Sequence, residues 1–116
     1  MSNMIFNGFG KIKFIDMRGR VGKELNLFGD IAYDYAKVLQ SLIGYDEVLT
    51  DKRVNESYRH NLLQCFWECK SQNAPALRDN DIKLICRSLL FSLIPLHNGQ
   101  GESDRSKAFF CLMSQV

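Results

Sequence analysis

Two oxygen-bearing side chains, Asn3 and Asp16, stand at the two ends of a short apolar segment near the start of the chain. The segment divides at Asn7 and Gly8, and an Asn-Gly pair between two apolar runs predicts a β-hairpin. Because an antiparallel hairpin brings its ends together, we expect Asn3 to lie close to Asp16. An amide oxygen beside a carboxylate suits Mg²⁺, which takes few protein ligands and completes its shell with phosphates and water. The pattern therefore predicts a magnesium site, and the alternative is that both side chains cap local turns.

Two arginines, Arg18 and Arg20, follow Asp16 in the connection "MRGRVGKELNLFG". This connection contains three glycines and charges of both signs, which predicts an irregular loop. One interpretation is that the two guanidinium groups contact a phosphate or a substrate. The other is that they are solvated side chains on an exposed loop.

Helical spacing of apolar residues begins after this loop. Asp30 is placed to cap a first helix, "IAYDYAKVLQSLIGY", and Gly44 to end it. A second helix is expected from Asn55 to Ser71, with its apolar residues again on one stripe.

Two more helices are expected in the second half of the chain. The segment "IKLICRSLLFSLI" is largely apolar and is therefore expected at the centre of the fold. Asp79 or Asp81 could cap it, and Pro95 is expected to end it. Ser103 is placed to cap the last helix, "DRSKAFFCLMSQ".

The fold class expected from these elements is α+β and mainly helical, with an N-terminal β-hairpin followed by about four helices. We expect a single domain over residues 1–116. A two-stranded hairpin is marginally stable in water. The hairpin must therefore pack on the helices or belong to a larger assembly.

Composition excludes several classes of partner. The net charge of +2 and the absence of a long Lys/Arg run argue against a nucleic-acid partner. No stretch approaches the roughly 18 consecutive apolar residues of a membrane span. The first ten residues lack the basic-then-apolar layout of a signal peptide. We therefore expect a cytoplasmic protein.

The four cysteines form no zinc pattern. Cys65 and Cys69 are four residues apart, and neither a second pair nor the two histidines lies at a matching spacing. We expect all four to be buried free thiols, which fits a reducing compartment.

Three motifs in order carry a family resemblance: "SNMIF", "GKIKFIDMRG" and "FGDIAYDYAK". Together they resemble the aminoglycoside phosphotransferase and choline kinase-like superfamily, which shares the catalytic core of the protein kinases. In that family a loop H-G-D-x-x-x-x-N is followed by a hairpin that ends in I-D, and then by a helix start G-D-x-x-x-D. The sequence of these motifs is similar to that of the phosphotransferase domains of bacterial capsule and surface-polysaccharide proteins. The resemblance covers about the first 45 residues and implies the C-terminal lobe of a kinase-like fold.

The resemblance implies roles for four residues. Asn3 and Asp16 match the two magnesium ligands, with Asp16 bridging the metal to the β- and γ-phosphates of ATP. Asp30 and Asp34 match the aspartates of the helix start and would support the site by ordering the segment behind it. Arg18 and Arg20 match no family motif and remain possible contacts to phosphate or substrate.

One catalytic element of the family is missing from the chain. The catalytic base is the aspartate five positions before the asparagine, and only Met1 and Ser2 precede Asn3. The nucleotide-binding lobe is missing as well. The resemblance therefore implies part of an ATP-dependent phosphotransferase for a small hydroxylated acceptor (a sugar, an amino alcohol or an aminoglycoside), inactive alone and without a catalytic residue of its own. The alternative is a non-catalytic helical binding module derived from such an enzyme.

A lobe without its partner lobe would expose apolar surface. We expect that surface around Met4, Phe6 and Phe9, and self-association through it.

Overall fold

A computed structural model describes residues 4–14, 22–24, 29–53, 55–97 and 103–116. Its contacts divide the chain into two compact units, Met1–Asp30 and Ile31–Val116, each of which is described by itself. The elements are two strands and five helices: β1 Met4–Phe6, β2 Ile12–Phe14, α1 Ile31–Leu42, α2 Tyr45–Leu49, α3 Glu56–Asn73, α4 Asp79–Leu96 and α5 Ser103–Gln115. The mainly helical class with an N-terminal hairpin is thus confirmed.

The hairpin has antiparallel strands whose outermost described pair is Met4 and Phe14. Its loop has five residues, 7–11, and the Asn7 side chain organises the turn. Asn7 Oδ1 accepts hydrogen bonds from the backbone N–H groups of Phe9 (3.0 Å) and Lys11 (3.2 Å). Gly8 lies inside this loop at φ 77°, a backbone conformation that residues with a Cβ rarely adopt.

The first helix begins directly after Asp30, and Gly44 ends it as expected, with φ 119°. The chain then forms the short helix α2, which the sequence pattern did not predict. The reason is tertiary packing, since three apolar residues of α2, Tyr45, Val48 and Leu49, pack against the core. The described residues therefore form five helices, where the sequence pattern predicted about four.

The third helix begins near its predicted start, and Asn55 caps it. Asn55 Oδ1 accepts a hydrogen bond from the backbone N–H of Tyr58 (3.1 Å), which satisfies one of the free donors of the first turn. The helix continues two residues beyond the predicted end at Ser71, to Asn73.

Both predicted ends of α4 need correction. Arg78 occupies the N-cap position, so Asp79 and Asp81 lie in the first turn instead of capping it. Pro95 lies inside the last turn and the helix ends at Leu96. A proline so close to the end removes only one hydrogen bond, and the His97 N–H still bonds to the Leu93 carbonyl oxygen (3.1 Å).

The core of the helical unit is built around α4, as its apolar sequence predicts. Ile82, Cys86 and Leu90 of this helix are fully buried, and α4 packs against both α1 and α5. Burying each large aliphatic side chain stabilises the fold by about 1.5–3 kcal/mol. The described part of the chain contains no helix long and apolar enough to cross a membrane.

Candidate functional site

The residues of the predicted magnesium site lie outside the described part of the chain. These are Asn3 and Asp16, together with Arg18 and Arg20. The magnesium site therefore stays a prediction.

The two supporting aspartates, Asp30 and Asp34, are described and exposed. Asp30 directly precedes α1 and Asp34 lies in its first turn, where a negative charge interacts favourably with the helix dipole. The buried residues Ala32 and Ala36 occupy the opposite side of the helix. Asp34 therefore lies away from the core side of α1.

The described residues contain no other arrangement suited to a metal. Within ranges 4–14, 22–24, 29–53, 55–97 and 103–116, no three side chains of the metal-binding types lie close enough together to hold an ion.

A surface pocket lies where α3 connects to α4. It has a volume of about 440 Å³, and two charged residues of its lining, Lys70 and Asp79, are joined by a salt bridge of 2.6 Å between Nζ and Oδ1. The Lys70 side chain is only 7% exposed, whereas that of Asp79 is 59% exposed. Sequence reasoning missed this buried lysine, although it lies four residues after the buried Phe66 and so on the same helix face.

The cysteine expectation is wrong for three of the four residues. Cys86 is buried, and burial raises the pKa of its thiol to about 11, which makes it a poor nucleophile. Cys65, Cys69 and Cys111 are exposed free thiols. On α3 the core side is centred on Phe66, and a residue one position earlier is turned by about 100° from it, which brings Cys65 to the surface.

The hairpin exposes apolar side chains, as expected for Phe6 and Phe9. Phe6 is 64% exposed and Phe9 is 91% exposed, and Ile5 and Ile12 are also more than half exposed. The Met4 side chain lies outside the described residues. Exposed apolar groups on a two-stranded sheet leave it with little hydrophobic stabilisation of its own.

Comparison with models of known families, with curated proteins and with solved structures gives no match. The resemblance to the phosphotransferases therefore depends on the three motifs themselves.

Proposed function

We propose that the chain is the C-terminal lobe of an ATP-dependent phosphotransferase that acts on a small hydroxylated acceptor. The observation that carries the proposal is the order of the three motifs, with a hairpin between the first two and a helix start at the third. No catalytic residue is assigned within residues 1–116.

The hairpin register supports the proposal. The paired residues Met4 and Phe14 are neighbours across the two strands. Asn3 is one residue beyond this pair along the chain and Asp16 is two residues beyond it. The proposal therefore expects the two oxygen ligands at the same end of the hairpin, as a shared metal requires.

The start of α1 agrees with the helix start that the third motif implies. The family motif G-D-x-x-x-D corresponds to Gly29, Asp30 and Asp34, and the helix begins immediately after Asp30. Asp34 is exposed on this helix, and the resemblance implies that it supports the site.

The donor set fits magnesium rather than a softer metal. Asn3 and Asp16 offer an amide and a carboxylate oxygen, and Mg²⁺ prefers such hard ligands. When bound, the ion neutralises the charge of the ATP phosphates. Asn3 and Asp16 would bind and orient the ion. Arg18 and Arg20, which follow Asp16 in the sequence, would add positive charge.

The proposed test is binding of magnesium and ATP to the reduced, isotope-labelled chain, observed by NMR. We expect the signals of Asn3 and Asp16 to shift at millimolar Mg²⁺ with ATP, and Asp16→Asn to remove the shift. Asp104→Asn is a matched control, because Asp104 is an exposed carboxylate in the first turn of α5, far from Asp16 in the sequence. Absence of any shift in the unmodified chain would exclude the metal site in this chain and favour the helical binding module.

A second observation tests the relation to a larger enzyme. The coding sequence upstream of Met1 should continue in frame and place H-G-D two residues before it. A stop codon directly upstream would contradict the assignment to an intact parent enzyme.

A further inference from the structure

Two exposed thiols, Cys65 and Cys69, lie one helical turn apart on α3, and they are called the α3 thiol pair below. Residues four apart in a helix share a face, with Cβ atoms about 5–6 Å apart. The helix runs through both positions and is anchored by the buried Phe66 between them. The backbone therefore holds the two thiols at a fixed spacing.

This spacing is too wide for a disulfide. A disulfide needs Cβ atoms about 3.5–4.5 Å apart, so closing one would require a turn of α3 to distort. The pair is therefore kept as two separate sulfur ligands while the helix is intact.

The same spacing suits a metal ion between the two sulfurs. With the zinc–sulfur bond length of about 2.3 Å as a guide, two metal–sulfur bonds in a line span about 4.6 Å, which the side chains reach by rotating about χ1. Thiolates select soft cations, of which Cu(I) is the main biological example. In addition, Asn73 Nδ2 donates a hydrogen bond to Cys69 Sγ (3.4 Å), which holds this sulfur at the surface of the helix.

We propose that the α3 thiol pair is a two-coordinate site for a soft cation of the Cu(I) class. Each thiol loses its proton to the solvent as its sulfur binds the metal. Binding one Cu(I) thus releases two protons, forms two sulfur–copper bonds and leaves the oxidation state unchanged. Because protons compete with the metal, binding should weaken as the pH falls.

Zinc is disfavoured at the α3 thiol pair. It takes four ligands in structural sites, and the described residues offer no group of three metal-binding side chains. An equal concentration of Zn²⁺ should therefore not displace Cu(I) from the site.

The test is a competition titration of the reduced full chain with Cu(I) held by a chromophoric chelator, without oxygen. We expect one Cu(I) per chain and a loss of at least tenfold in affinity in both Cys65→Ser and Cys69→Ser. Cys111→Ser is the matched control, because Cys111 is an exposed thiol without a neighbour at helical spacing. It should retain the affinity of the unmodified chain, and far-UV circular dichroism should be the same for all variants.

A spacing control separates chelation from thiol count. The double variant Cys69→Ser/Gln72→Cys keeps two thiols on α3 but separates them by seven residues, or about 10.5 Å along the helix. It should bind no better than Cys69→Ser. The proposal is overturned if the double variant binds like the unmodified chain, if either single variant retains full affinity, or if Cys111→Ser loses it.

Discussion

Replacing Asp79 by asparagine should destabilise the helical unit by about 1–2 kcal/mol, because it leaves the Lys70 ammonium buried without its partner. The Lys70 side chain is 7% exposed and its Nζ lies 2.6 Å from Asp79 Oδ1. Breaking a fully buried ion pair costs about 3–5 kcal/mol. We expect only about 1–2 kcal/mol here because the Asp79 side chain is 59% exposed, so water already screens the ion pair.

Replacing Lys70 by methionine should cost less than replacing Asp79. Methionine keeps the apolar stem of the lysine and removes the charge that needed a partner. Asp79 then remains exposed in the first turn of α4, where its charge is still favourable. The expected change in the free energy of unfolding is below about 1 kcal/mol.

Urea unfolding followed by far-UV circular dichroism measures these differences. Asp81→Asn is the matched control, because Asp81 lies in the same turn and its partner, Arg78, has a side chain that is 81% exposed. It should cost no more than about 1 kcal/mol. The reasoning is refuted if Asp79→Asn costs no more than Asp81→Asn, or if Lys70→Met costs more than Asp79→Asn.

Two further predictions concern the core. Phe109→Ala should cost about 3–5 kcal/mol because its ring is fully buried, whereas Phe110→Ala, at a 57% exposed position, should cost about 0.5 kcal/mol. Equal urea midpoints for the two variants would contradict the burial pattern. Burial raises the pKa of Cys86 from 9.0 to about 11, so the unfolded chain loses this proton at lower pH and the free energy of unfolding should fall as pH rises from 9.0 towards 11. Cys86→Ala should reduce the decline in the free energy of unfolding by up to about 2.7 kcal/mol, as measured by unfolding at each pH. An unchanged slope would contradict the raised pKa of Cys86.

Local signals predicted the elements that depend on local chemistry. The Asn7-Gly8 pair indicated the hairpin, and Asp30 and Gly44 marked the two ends of α1. Each of these depends on backbone conformation or capping within a few residues. The five-residue hairpin loop is also organised locally, because the Asn7 side chain accepts hydrogen bonds from two N–H groups further along the chain.

Features set by packing could not be predicted from local pattern. Helix α2 has only five residues and is held by apolar contacts with distant helices. Cysteine is compatible with either side of a helix, so the exposure of Cys65 and Cys69 depends on which face of α3 the core covers. The burial of Lys70 depends on the position of Asp79 across a loop, which no helical periodicity encodes.

The two proposed metal sites differ in ligand chemistry, and this makes each a control for the other. Asn3 and Asp16 offer hard oxygens that suit Mg²⁺, whereas Cys65 and Cys69 offer soft sulfur that suits Cu(I). Serine at either cysteine removes a soft ligand without touching the oxygens, so it should leave the response to Mg²⁺ and ATP unchanged. Conversely, Asp16→Asn should leave the affinity for Cu(I) unchanged. A variant that altered both responses would indicate a general change of fold rather than the loss of either site.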